Sequence, residues 1–483
     1  METKKQAISG VKWTTLSTVV VAVCSILKIS VLARFLNSSD FGLMALVTFV
    51  LGFMDLFMDM GLTSAILYKQ SITREEYNSL FWLNVMFSLI LFFCILLFAP
   101  LVASFYEEPK LTVLLPLMGF GVIFSAFGRQ YKTILQKELK FKTIALTEIL
   151  AIVFSLILAI VLALKNFGVY SLVLSALLQY FLANTIFFVI GIKTNRLSLH
   201  FNFQSTSPFL RIGFYKVGGQ IINYFNRDLD ILIIGKFFGA ELLGGYSLAK
   251  QLVKRPMAIF DQIVLKVSVS ILPRFQDNKK ALLNSFLMLI RGMSMINAII
   301  YGVMALSAPF LVNIFYGEEY GGILNFVRLF AIIFYFRSIG GIVGILAITK
   351  GRTDIEFYWN VLLLCVFPVV IFAGAQINLE MILILIAALQ IILNLPLWQM
   401  FYKKLVGIEL FDYLRALCFP AIISGSVFII FDILFENHTG IMAQGGFSLL
   451  LTIVIVVYAY VTDSNVRHYI KSIIKKQPDK VEH

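Results

Sequence analysis

The chain has 483 residues, of which 59% are hydrophobic and only 14% charged, with a formal net charge of +13. Soluble globular chains carry about a quarter charged residues, so a water-soluble protein of this size is excluded and an all-α integral membrane protein is indicated. The positive charge does not require nucleic acid, because it sits in loops between apolar runs.

Runs of about 20 apolar residues, the length that crosses a hydrocarbon core, recur from end to end. They fall at 11–36, 41–68, 79–105, 111–134, 143–164, 168–191, 209–237, 241–272, 282–315, 321–349, 355–376, 378–402, 411–435 and 441–462. This makes about 14 transmembrane helices. The first run is too long for the apolar core of a signal peptide and lacks a small-residue cleavage site, so it reads as the first span.

The loops sort by charge. One set holds Lys4, Lys5 and Lys12, then Lys69 and Arg74, Arg129 through Lys142, Lys193 to Lys216, and Arg274 to Lys280. It continues through Lys350, Arg352, Lys403 and Lys404 to the tail from Arg467 to Lys480. The alternate loops, NSSD (37–40), FYEEP (105–109), FYGEEYGG (315–322), AQINLE (375–380) and ENHTG (436–440), are nearly free of Lys and Arg. Basic loops stay in the cytoplasm, which predicts that both termini are cytoplasmic.

The chain also repeats itself. ARFLNSSDFGLMAL (33–46) matches GKFFGAELLGGYSLA (235–249), and Asp59 and Asp261 fall at the same offset in the helices that follow. FAPLVASFYEEP (98–109) pairs with SAPFLVNIFYGEEY (307–320). Six spans separate the copies, and an even number keeps both in the same orientation, as parallel repeats related by an axis along the membrane normal. The expected organisation is an N-terminal lobe of helices 1–6 (1–192), a polar cytoplasmic linker (193–208) and a C-terminal lobe of helices 7–12 (209–404). Helices 13 and 14 with the basic tail (405–483) lie outside the duplication. Two lobes with a cleft between them is the architecture of alternating-access transporters, whose site lies near midplane at the repeat interface.

Ionisable residues at membrane depth are costly and usually functional. Helix 1 carries Lys28; helix 2 carries Asp55 and Asp59, spaced to share one face. Helix 7 has a polar stripe of Gln220, Asn223, Asn226, Arg227 and Asp230, although Asp230 also fits a local pair with Arg227. Helix 8 has Lys250, Lys254 and Arg255 directly before Pro256, a candidate hinge because proline frees a carbonyl and permits bending. Helix 10 adds Arg328 and Arg337. Asp55, Asp59 and Asp261 suit either ion coupling or helix packing, Arg34 and Lys236 can snorkel to head groups, and Gly340 with Gly344 reads as a packing pair. The excess of cations predicts an anionic cargo, phosphate above all, through charge-assisted hydrogen bonds.

Cys24, Cys94, Cys365 and Cys418 lie in apolar runs, and His200, His438, His468 and His483 form no ligand set, so neither a disulfide framework nor a metal site is expected. No cofactor is implied. The chain has no G-x-x-x-x-G-K-[ST] phosphate loop and no loop long enough for a membrane polymerase or glycosyltransferase site, so an enzyme is not expected.

Six segments in order carry a resemblance. VKWTTLS near the start, LARFLNSSDFGLMALV (32–47), DLFMDMGLTSAILYKQ (55–70), LQKELKFK (135–142), NYFNRDLDILIIGKFFGAELLGGYSLA (223–249) and TKGRTDIEF (349–357) together resemble the polysaccharide transporter family. This is the Wzx-type branch, similar to colanic and teichuronic acid exporters, of the multidrug/oligosaccharidyl-lipid/polysaccharide flippase superfamily. The resemblance spans nearly the whole chain and weakens after about residue 375. It implies a flippase for undecaprenyl-pyrophosphate-linked oligosaccharide repeat units in a bacterial inner membrane, serving lipopolysaccharide or other surface polysaccharide synthesis, with two six-helix lobes forming a V-shaped central cavity lined by cations. Its partners would be that lipid-linked substrate, membrane lipid and a polysaccharide polymerase with chain-length machinery. The alternative within the superfamily is an ion-coupled multidrug or cation antiporter, which would want carboxylates where Lys250 and Arg255 stand.

Overall fold

The computed structural model describes residues 2–59, 63, 66–67, 69, 72–194, 197–272, 278–434 and 441–462. Among them the backbone is helical, as a chain in lipid must be when no water is present to satisfy its amides. The helices are α1 (Glu2–Leu32), α2 (Ser38–Asp59), α3 (Arg74–Tyr106), α4 (Leu111–Lys137), α5 (Phe141–Leu164) and α6 (Val169–Thr194). A single helical run, Phe203–Ile271, follows, broken by Gly239 at φ 74° and ψ −179°. No side chain tolerates that extended left-handed geometry easily, and the break separates α7 (203–238) from α8 (240–271).

Then come α9 (Lys279–Leu306), the short helix Ala308–Tyr316, α10 (Glu318–Lys350), α11 (Thr353–Ala375), α12 (Leu379–Val406), α13 (Leu410–Leu434) and α14 (Ile441–Thr462). Among the described residues, twelve stretches are long and apolar enough to cross a membrane. One of them, Val217–Met257, runs from α7 into α8 across the break, and α14 contains a shorter apolar stretch, Gln444–Tyr458. The protein is therefore a multi-pass membrane protein of about 14 helices.

The chain forms two compact units. The first comprises Met1–Ser247 with Ile314–Glu319 and Leu363–Ala375; the second comprises Leu248–Asn313, Tyr320–Leu362 and Gln376–His483. In the first, α1 turns Val11, Leu16, Val19, Val23 and Leu27 outward, each about half exposed or more. A helix that exposes an apolar face belongs in lipid, where that face costs nothing. Its other face meets α5 through Ser17, which donates to Glu148 at 2.8 Å, and α5 in turn meets α6 where Ser155 donates to the Ser175 carbonyl at 2.7 Å.

The start of α3 is fixed by a capping box, Thr73 accepting from the Glu76 amide and the Glu76 carboxylate from the Thr73 amide. Lys69 pairs with the same Glu76 at 2.6 Å. The expected linker is more ordered than a bare tether. Asn78 donates to the Ser198 hydroxyl at 2.6 Å and Trp82 to the Ser198 carbonyl at 3.0 Å, while residues 203–208 already belong to α7. Its polar side chains satisfy the exposed end of α3, which their composition alone does not announce.

In the second unit α9 packs on α13, where Ser424 donates to the Ala298 carbonyl at 3.3 Å. Tyr335 of α10 donates to the Leu417 carbonyl at 2.7 Å, and Tyr413 to Asn394 of α12 at 2.8 Å. Gly340 and Gly341 fall where α10 breaks between Leu324–Gly340 and Ile342–Lys350. The carboxylate of Glu356, on α11, lies 3.2 Å from where a Gly344 Cβ would stand. Gly340 in turn faces Leu397 of α12, so both glycines lie against neighbouring helices, as their spacing suggested, with the interruption between them.

Candidate substrate-binding site

Helical spacing places Tyr224, Arg227 and Asp230 along one side of α7. Tyr224 is buried, and its hydroxyl donates to the Phe49 carbonyl of α2. Its ring joins an aromatic cluster with Phe49 at 5.4 Å, Phe53 at 6.2 Å and Phe225 at 6.1 Å. The exposed Arg227 lies over the Tyr224 ring at 5.4 Å and pairs with Asp228 at 2.6 Å. Asp230 is buried and accepts from the hydroxyl of Tyr246 on α8. Asn223 is exposed and Asn226 half-buried beside them.

Asp55 on α2 forms an ion pair with Arg129 on α4. Asp59 and Asp261 lie on their helices, with side chains outside the described residues. Lys28 projects from α1 to α5, where its ammonium meets the Ser155 hydroxyl at 3.2 Å. At the loop end of α7, Lys236 pairs with Glu107 at 2.8 Å, which holds the Glu107 carboxyl below the usual carboxylate range.

Lys250 is buried, with 5% of its surface exposed, and Lys254 and Arg255 are half-buried. Each of the three engages a neighbour, so they are not the bare cations that their spacing alone suggests. Pro256 sits within continuous helix, and Gly239 is where the run departs from helical torsions. In α10, Arg337 is half-buried and engaged. Arg328 lies over the Phe428 ring of α13 at 5.3 Å, and its Nε is buried without an acceptor.

Among the described residues, then, Lys28 and Arg328 are membrane-depth cations with no carboxylate partner. Arg129, Tyr224 and Tyr246 complete contacts that single-helix spacing could not reveal. The signal available for Tyr246 was its position one turn before Lys250.

A family profile described as polysaccharide biosynthesis protein matches residues 31–325. The chain belongs to the polysaccharide biosynthesis protein family. Members similar to it include the lipopolysaccharide biosynthesis protein WzxC of Escherichia coli (strain K12), 27% identical over 88% of this chain and 86% of that one. The teichuronic acid biosynthesis protein TuaB of Bacillus subtilis (strain 168) is 25% identical over 88% of each. Among solved structures, the lipid II flippase MurJ in an inward closed conformation aligns with a TM-score of 0.74 at 14% identity, covering 93% of this chain and 99% of that one. An inward-facing multidrug resistance MATE family transporter aligns with a TM-score of 0.59 at 16% identity, covering 83% and 94%. At such identities the likeness is one of fold. This family member therefore shares the helical architecture of that superfamily, as its six segments suggested.

Proposed function

We propose that this protein is a flippase that moves undecaprenyl-pyrophosphate-linked oligosaccharide repeat units from the cytoplasmic to the outer leaflet of a bacterial inner membrane. The reading rests on family membership and on one observation. Lys28 and Arg328 are held at membrane depth with, respectively, a hydroxyl and an aromatic ring as partners. An uncompensated cation at the bilayer centre costs roughly 3 kcal/mol, and an anionic cargo offsets that cost when it binds. A pyrophosphate offers several oxygen acceptors to such donors. The names of the relatives, which refer to lipopolysaccharide and teichuronic acid synthesis, support a lipid-linked glycan over a free anion.

The mechanism proposed is alternating access of the two repeat lobes, 1–192 and 209–404, around a cavity to which α7 and α8 contribute Asn223, Asn226, Arg227, Lys250, Lys254 and Arg255. Both termini face the cytoplasm in this reading. A polysaccharide polymerase and chain-length machinery would take the delivered unit, and the protein itself acts as a carrier without catalysis. A cation antiporter would need carboxylates available to its cargo. Against that, Asp230 is engaged by Tyr246 and Asp55 by Arg129.

The test is a deletion strain complemented with the gene. Lipid-linked oligosaccharide should accumulate on the cytoplasmic leaflet without the protein and clear on complementation. Unaltered lipid-linked pools in the deletion strain would sink the reading.

A further inference from the structure

Residues 197–203, where the linker runs into the first residue of α7, alternate in their surroundings. Ser198 and His200 turn to α3. The Ser198 hydroxyl accepts from Asn78 at 2.6 Å, its carbonyl accepts from the Trp82 indole at 3.0 Å, and its amide donates to Asn78 at 3.4 Å. The Nε2 of His200 lies 3.9 Å from the Glu75 carboxylate, and the Asn202 amide donates to the Ser79 hydroxyl at 3.0 Å. Interleaved with them, Leu199, Phe201 and Phe203 are 89%, 45% and 58% exposed. A single exposed apolar residue needs no explanation. Three at every second position, with the polar neighbours taken up by α3, make a face.

The level at which this strap crosses α3 points to what covers that face. Trp82 begins a stripe that continues through Met86, Ile90, Phe93 and Leu97, spaced along one side of the helix. From Met86 onward each is at least half exposed, as on a surface that faces lipid chains. Tryptophan favours the depth where such a surface meets head groups, and the strap is hydrogen-bonded to that same Trp82. Its apolar side chains therefore stand at the margin of the lipid-facing surface. Non-helical backbone is costly there unless its peptide groups have partners, and α3 supplies them to the Ser198 amide and carbonyl and to the Asn202 amide. Charge agrees. The segment 193–216 holds Lys193, Arg196, Arg211 and Lys216 and no Asp or Glu, and basic residues beside a membrane are drawn to acidic head groups.

We propose that this strap is a lipid-surface anchor. Leu199, Phe201 and Phe203 enter the head-group boundary of the leaflet at the basic ends of the helices, and the occupant of the face is acidic phospholipid. Apolar side chains set into that boundary leave water without leaving their polar neighbours unsatisfied. The linker is then held on two sides, by α3 and by lipid. This goes beyond the transport reading and does not depend on the cargo.

The test uses the full-length protein in nanodiscs of phosphatidylethanolamine and phosphatidylglycerol. With Cys24, Cys94, Cys365 and Cys418 replaced by Ala, single spin labels are attached in turn through Leu199→Cys, His200→Cys, Phe201→Cys and Phe203→Cys. Labels replacing Leu199, Phe201 and Phe203 should collide more with oxygen, which concentrates in lipid, than with a water-soluble nickel chelate. The label replacing His200 should show the reverse. A second measurement leaves the strap unsubstituted: wild-type protein is irradiated with phosphatidylglycerol that carries a diazirine near the glycerol end of one acyl chain. Adducts should form on the strap at Leu199, Phe201 or Phe203, and be lost from it in the triple variant Leu199→Ser, Phe201→Ser, Phe203→Ser. The same diazirine on phosphatidylcholine should give a lower yield. Nickel-dominated collisions at all four positions, or wild-type adducts confined to the membrane-spanning helices, would overturn the anchor and leave the face to a protein partner in water. An equal yield from phosphatidylcholine would overturn the choice of acidic lipid.

Discussion

The buried carboxylate of Asp230 on α7 accepts a hydrogen bond from the phenol of Tyr246 on α8, tying together two helices that meet at the left-handed break of Gly239. Both side chains are buried. Tyr246→Phe keeps the ring and removes the donor, which should cost about 1–2 kcal/mol, between the value for a charged acceptor and that for bonds between membrane helices. Thermal unfolding in detergent measures it. An unchanged midpoint would mean that Asp230 draws its stabilisation elsewhere.

Asp55 and Arg129 should behave differently. The Asp55 side chain is 57% exposed, so the pair is screened and contributes less than about 1 kcal/mol. Asp55→Asn should leave the unfolding midpoint within about 2 °C and lower export instead, as expected of ion coupling. A collapse of stability with export retained per folded molecule would make the pair a structural brace.

Lys28 offers the cleaner separation of binding from folding. Removing a cation that has no carboxylate partner relieves desolvation, and Ser155 keeps its bond to the Ser175 carbonyl. Lys28→Met should therefore hold or raise the unfolding midpoint while export falls about tenfold, the loss of one contact of about 1.4 kcal/mol. Lys250 is engaged, so Lys250→Ala should lower both stability and export. Equal losses of stability at the two positions would remove the distinction.

The Glu107–Lys236 contact carries a pH dependence. Hydrogen bonding to Lys236 holds the Glu107 carboxyl below its ordinary value, which for glutamate is about 4.3. A depressed folded value means that the contact stabilises above the ordinary value and is lost as pH falls through the folded one. Spin labels at Ser38 and Glu241 should report a separation of α2 from α8 only in acid, below the ordinary carboxylate range, and Glu107→Gln should abolish that acid step. An acid step that survives Glu107→Gln assigns it to another group.

Charge and hydropathy made the fold legible because a bilayer imposes one length and one composition on every crossing. Hence the α7–α8 junction was placed between 237 and 241, and Gly239 lies there. The repeat was legible too, since Gly42 and Gly244 stand in matched strings. Which helix each polar face meets was not. Asp55 and Arg129 are 74 residues apart in the chain, and Arg129 reads as one more cation of the cluster that runs to Lys142. Tyr246 stands where the first copy has Met44, so the repeat pattern gave no warning of its bond to Asp230.

The most direct measurement is reconstitution of the purified protein in liposomes that carry fluorescent undecaprenyl-pyrophosphate oligosaccharide in both leaflets. A membrane-impermeant reagent then reads the fraction of glycan exposed outside. With a flippase present, that fraction should climb from the outer-leaflet share towards the whole pool, and slow sharply with Lys28→Met. A fraction that stays at the outer-leaflet share, as in protein-free liposomes, would contradict the proposed function.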